Sequence, residues 1–194
     1  MTTATMTRPT KPAAIGGPLG GPAVYVACLA AYNSGTLHGY WVDLEKASTA
    51  EAIRECIAYV LATSPALGAE EYAIHDSQGL PACLQSEWPD WQQVESFLDV
   101  FLSLDEEEGA AYVTACNLDY RVMTEDEFSA SFCGFYDRPG DFAAEHAEES
   151  TGVDLDVWPF TCIDWEDAWR SQFECDSYHA EFIKSQGMYA IFAP

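Results

Sequence analysis

Apolar residues recur along this chain with two different periods, and the two alternate. Val24-Tyr25-Val26-Ala27-Cys28-Leu29 is a run of β-formers, Asn33-Ser34-Gly35 reads as a turn, and Gly39-Tyr40-Trp41-Val42 follows, which predicts a β-hairpin. Ser48-Thr49-Ala50-Glu51 has the form of a capping box, with Ser followed by Glu three residues on. It would open a helix on which Ile53, Ile57, Val60 and Leu61 share a face and which Ser64-Pro65 stops. Residues 71–76 predict a third strand.

The middle of the chain changes period. Trp91, Val94, Phe97, Leu98, Phe101 and Leu102 form one apolar stripe, so residues 90–104 predict an amphipathic helix. A short helix is expected over 110–117. Thr124-Glu125-Asp126-Glu127 is a second capping box, starting a helix that ends near Gly134. Residues 141–150 form another helix, stopped by Gly152, and a fifth covers roughly 163–175. Residues 179–183, the turn Ser185-Gln186-Gly187 and residues 188–192 predict a second hairpin. No internal repeat is visible. The pattern is a small α/β unit, a helical middle and a second α/β unit, an α+β fold class. Residues 1–23 carry many Gly, Pro and Thr and no periodicity, and are expected to be a disordered extension.

Charge alters this ordinary picture. The 194 residues hold 32 Asp and Glu against 8 Lys and Arg, a net of -24. No carboxylate precedes Asp43, and no Lys or Arg lies between Glu55 and Tyr120. Phosphate neutralisation needs cations, so binding to nucleic acid or to an anionic membrane surface is excluded as the ordinary mode. Disorder of the whole chain is excluded as well, because 48% hydrophobic and 13% aromatic residues suffice for a core.

Catalytic and metal signatures are weak. Seven cysteines without a Cys-x-x-Cys make a poor disulfide framework and a poor zinc site, and scattered cytosolic thiols fit better. Residues 23–31 faintly resemble a signal peptide, but the Gly and Pro before them argue against export, so the expected location is cytoplasmic. No apolar run approaches a membrane helix. His38, His75, His146 and His179 form no His-x-x-x-His pair, and the glycines at 16–21 precede a strand rather than follow one, with no Gly-Lys-Ser/Thr. No cofactor, metal or catalytic residue is expected.

What remains is the carboxylate excess. Residues 43–194 carry a net of -26, which equals the charge on about 44 Å of duplex at about 1.7 Å per charge. A compact body of that length has a diameter of roughly 40 Å, so one protomer reaches about the linear charge density of B-DNA. Glu51 with Glu55, Glu87 with Asp90, Glu95 with Asp99, Asp141 with Glu145 and Glu145 with Glu149 stand three or four residues apart. On a helix such like-charge pairs are about 6 Å apart along the axis and cost a few tenths of a kcal/mol. Retaining that repulsion without interleaved Lys points to a partner that supplies cations. The phosphate-like positions are Glu51, Glu55, Glu70, Glu71, Asp76, Glu87, Asp90, Glu95, Asp99, Asp105, Glu106, Glu107, Glu108, Asp119, Glu125, Asp126, Asp141, Glu145, Glu148 and Glu149.

Residues 24–35 (VYVACLAAYNSG) and 37–43 (LHGYWVD) resemble the opening of the ArdA-type antirestriction proteins. The block Gly68-Ala69-Glu70-Glu71-Tyr72-Ala73-Ile74-His75-Asp76 is similar to that family's most specific segment. Asp141-Phe142-Ala143-Ala144-Glu145, Ile163-Asp164-Trp165-Glu166 and Met188-Tyr189-Ala190-Ile191-Phe192 are similar to its later ones. The resemblance implies an elongated, dimeric DNA mimic carried by mobile elements, which occupies the DNA groove of type I restriction–modification enzymes through their modification and specificity subunits. It also implies three small domains, here 24–86, 87–132 and 133–194, with homodimer contacts in the last. Two other classes fit the composition: an acidic immunity module that neutralises a basic toxin or nuclease, and a hydrolase with a halophilic-type acidic surface.

Overall fold

The computed structural model describes residues 9–16 and 20–194. The fold is α+β, with helices and two separate three-stranded sheets. The chain forms two compact units. The first comprises the residues up to Ser103 with Asp119–Val122, and the second Leu104–Leu118 with Met123–Pro194. The segment 87–132, expected as a helical domain, therefore contributes to both.

In the first unit β1 (Ala23–Cys28) is the central strand, antiparallel to β2 (Gly39–Asp43) and to β3 (Tyr72–Gln78). Its near-continuous burial explains the unbroken apolar run in the sequence. The hairpin connection is not a plain turn: one helical turn, α1 (Leu29–Asn33), intervenes, closed by Ser34 donating to Ala31 O and by Gly35 at φ +81°. Helix α2 (Ala50–Ala62) buries Ile53, Cys56, Ile57 and Val60. Its cap is Thr49, whose hydroxyl accepts from Ala52 N, so the box read from Ser48 and Glu51 does not form. Glu95 supplies the second acceptor: its carboxylate takes the Ala50 N–H at 3.0 Å. Glu95 lies on α3 (Trp91–Phe101), which Asp90 caps and which buries Trp91, Val94, Phe97 and Leu98.

The expectation of a disordered extension over 1–23 is corrected where the chain is described; residues 1–8 and 17–19 lie outside the described residues. Ile15 makes an antiparallel bridge with Val42, Asp43 N donates to Ala14 O at 2.9 Å, and Gly16 N donates to Trp41 O at 3.2 Å. Ala14 and Ile15 are buried. The exposed edge of β2 offers backbone groups that need partners, and a short segment of β-compatible residues takes them without any long-range periodicity in its sequence.

In the second unit the sheet order is β4-β6-β5, all antiparallel, from Phe132–Tyr136, Met188–Phe192 and His179–Ile183 respectively. Strand β4 corrects the helix expected to run to Gly134. Helix α5 (Glu125–Ser131) stops at Phe132, where the backbone turns extended. Phe132 stacks on Phe128 and meets Phe135, contacts that a helix also allows, but it pairs with Phe192 of β6 as well, and that cross-strand register requires an extended chain. The Thr124–Glu127 box forms in both directions. Helix α4 (Glu106–Leu118) starts earlier than expected, because Asp105 accepts from the Glu107 and Glu108 N–H groups. Tyr112 on α4 meets Phe128 edge-on and donates to Met123 O.

Helix α6 (Pro139–Thr151) ends at Gly152 in the left-handed region. Phe142 and Ala143 on α6 pack with Trp169, Phe173 and Ile191 to form an aromatic core. The helix expected over 163–175 is shorter, α7 (Trp165–Ala168), followed by a wider π-type turn over Trp169–Phe173 that brings both rings onto Phe142. Gly140 marks the close approach of α6 to α7. A Cβ there would lie 2.6 Å from Glu166 Oε1 and 2.9 Å from backbone, and Gly140 N donates to that same oxygen at 3.0 Å.

Candidate partner-binding surface

Of the 32 acids, Asp43 alone is buried. It pairs with Lys46 and accepts from Glu45 N. The rest line solvent, but unequally. The first unit holds 12 acids and 5 bases, a net of -7; the second holds 20 acids and 3 bases, a net of -17. The second unit is the smaller of the two, so its charge density is about three times higher.

Local structure explains how so many carboxylates are accommodated. In α4 the first turn carries Glu106, Glu107 and Glu108; in α5 it carries Glu125, Asp126 and Glu127; α6 begins with Asp141, and α7 with Glu166 and Asp167. Unsatisfied N–H groups give each helix start a partial positive charge, and an acid there gains about 0.3–1 kcal/mol at low ionic strength. This offsets the like-charge repulsion within each cluster. The unit thus concentrates carboxylates at helix beginnings, where the backbone tolerates them.

The nominated positions divide by what their oxygens already hold. Glu51, Glu55, Glu70, Glu71, Glu87, Asp99, Glu106, Glu107, Glu125, Asp126, Glu148 and Glu149 are exposed, and their carboxylates make no internal hydrogen bond or ion pair among the described residues. Glu108 is half-buried and equally uncommitted. Others are engaged inside the fold. Glu95 caps α2, Asp90 caps α3 and Asp105 caps α4. Asp76 accepts from Ser77 N, Asp119 pairs with Arg121, and Asp141 pairs with Arg138 at 2.7 Å. Glu145 accepts from Tyr136. Burial, that hydrogen bond and the Glu145 charge push the Tyr136 hydroxyl well above its ordinary range, so it stays a neutral donor.

Of the three- and four-residue pairs, Glu51 with Glu55 and Glu145 with Glu149 stand exposed on helices. Glu87 with Asp90 precedes α3 and is no helical pair, and Glu95 turns away from Asp99 to meet Ala50. Sequence reasoning passed over further exposed acids of the second unit, among them Asp137, Asp154, Asp156 and Glu181. Those named lie off the helices, so a criterion built on helical spacing could not find them; a count of charge per unit would have.

The alternative chemistries meet ordinary structural roles. His38 Nε2 bonds Val60 O at 2.8 Å, His75 lies edge-on to Tyr32, and His146 sits against Phe142 and Phe173. Among the described residues no three His, Cys, Asp or Glu side chains are arranged to hold a metal ion. Two shallow hollows border sheet edges. One of about 270 Å³ is lined by residues 74–77 and 85–87, and one of about 410 Å³ by Glu174 and residues 177–181. Both face solvent broadly. All seven cysteines are free thiols; Cys28, Cys56 and Cys116 are buried. No helix is long and apolar enough to cross a membrane among the described residues.

A family model described as antirestriction protein (ArdA) matches residues 24–182. No curated protein matches the chain.

Proposed function

The chain belongs to the ArdA antirestriction protein family, and on that premise we propose that it inhibits type I restriction–modification enzymes by occupying their DNA-binding groove as a mimic of B-DNA. The observation that carries this reading is the second unit, with 20 acids against 3 bases and its uncommitted carboxylates set in clusters at helix starts. A groove that binds duplex is lined with Lys and Arg for phosphates, and a surface of this sign and density meets those cations without any base-specific contact. The partners are the modification and specificity subunits, and the acting form is a homodimer in the cytoplasm, which lengthens the charged surface.

The role is stoichiometric and not catalytic. Binding energy is spread over many charge pairs, each modest when exposed, so no single carboxylate is indispensable. The affinity falls as salt rises, because the attraction is between solvent-exposed charges.

The direct test is a restriction assay. Unmodified phage or plasmid is introduced into cells carrying a type I enzyme, with and without this gene, and expression is expected to raise the survival of the incoming DNA. Purified protein is expected to block cleavage and to compete with duplex for the enzyme at low salt. Untouched cleavage at low salt and excess protein would refute the reading.

A further inference from the structure

Resting on that reading, we propose that residues 157–163 form an apolar anchor that seats against the basic partner surface, with Trp158 stacked on an arginine guanidinium. The segment lies between α6 and α7 and is wound into consecutive tight turns. Phe160 N donates to Val157 O at 2.9 Å, Cys162 N to Pro159 O at 3.0 Å and Ile163 N to Phe160 O at 3.1 Å. These turns hold the side chains outward: Trp158 is 78% exposed, Val157 53% and Ile163 40%. Single exposed apolar residues are normal on any protein, but three large ones within seven residues are not scattered.

What surrounds the knob selects its occupant. Asp154 and Asp156 precede it and Asp164 follows it, all exposed, and no Lys or Arg occurs between Arg138 and Arg170. A second copy of the chain is disfavoured there. An isologous contact sets a patch against itself, which would bring this carboxylate collar onto an identical one with no cation between them. An anionic lipid surface is repelled for the same reason. A surface rich in arginine satisfies both parts at once. The guanidinium plane stacks on the indole face, the most favourable of the aromatic rings for a cation, and its neighbours pair with the collar. Trp and Arg are also the residues that dominate interface energetics when desolvated together. Such a contact contributes an apolar share of affinity that salt does not screen, which a pure carboxylate array lacks.

The test compares wild type, Trp158→Ala and Trp158→Tyr, each checked for fold by circular dichroism and for molar mass by light scattering. Dissociation constants are measured against a purified type I enzyme, its modification and specificity subunits, at low and at high salt. Trp158→Ala is expected to bind about tenfold more weakly at both salts with an unchanged salt slope, while Trp158→Tyr retains most of the affinity. Unchanged affinity of Trp158→Ala where wild type binds would overturn the anchor and leave the array standing. A drop in molar mass would overturn it in favour of a self-contact. Wild type that fails to bind the enzyme at all removes the proposed function, and the anchor with it.

Discussion

The two units solve the same folding problem with different materials. Each covers a three-stranded antiparallel sheet with helices, yet the first fills its core with Val24, Val26, Val42, Ile53 and Leu44, and the second with Phe142, Trp169 and Phe173 around Ile191. The first carries a net charge of -7 and the second -17. A charge that served only solubility has no reason to gather on the smaller unit. The aromatic core and the acidic surface there fit each other. Rings bury a large apolar area each, which offsets the self-repulsion that a surface of one sign imposes on a compact state.

That contrast can be broken experimentally. Phe142 touches Tyr136, His146, Trp169, Phe173 and Tyr178, so Phe142→Ala is expected to cost about 3–5 kcal/mol by chemical denaturation. A loss below about 1 kcal/mol would show that the aromatic cluster is not what opposes the charge. Next in size is a matched pair of five-fold neutralisations to Gln and Asn. Glu106, Glu107, Glu108, Glu125 and Asp126 are expected to cost on the order of a hundredfold in inhibition, about 2.7 kcal/mol. The same number on the first unit, Glu51, Glu55, Glu70, Glu71 and Asp99, is expected to cost about tenfold or less. Equal losses in an inhibition titration would mean that total charge matters and its placement does not.

Smaller effects separate carboxylates that serve the fold from those that face a partner. Glu95→Ala is expected to lower stability by about 1 kcal/mol through the lost cap on α2, read as a fall in melting temperature, with inhibition unchanged. A weaker inhibitor of unaltered stability would place Glu95 in the array after all. The smallest effect is a pH dependence. Burial, aided by the Glu55 charge, pushes the Cys56 thiol from 9.0 up to about 11. The unfolded chain therefore releases this proton first. The stability contributed by the neutral buried thiol is present below about pH 9 and is lost as pH rises through about 11. Cys56→Ala is expected to flatten that part of the alkaline fall in a series of thermal melts.

Much of this molecule is legible in its residues, and the misses have physical causes. The Thr124 box, the Gly152 stop and the second hairpin rest on local chemistry and formed as read, while the strands of the first hairpin pair as expected but are joined through α1 and not by a plain turn. The Ser48 box failed by one residue, because Thr49 caps α2 in its place, and the Ala50 N–H finds its acceptor in Glu95, 45 positions away. Strand β4 was hidden because Phe128, Phe132 and Phe135 suit a helical stripe and a stacked ladder alike, and only partners on distant β6 decide between them. The surface was legible as a total but not as a distribution. Which carboxylates are engaged by caps and ion pairs depends on tertiary neighbours, and so does the exposure of Trp158.

The strip of chain across β2 also bears on where this protein can be cut. The family match begins at residue 24, whereas Ala14 and Ile15 already lie buried against Val42 and Asp43. It ends at residue 182, before β6, the central strand of the second sheet. A fragment trimmed to the shared segment would bare one sheet edge, a ready template for pairing with other chains, and would lose the middle of the other sheet. The boundary of kinship and the boundary of a stable fold are different places in this chain.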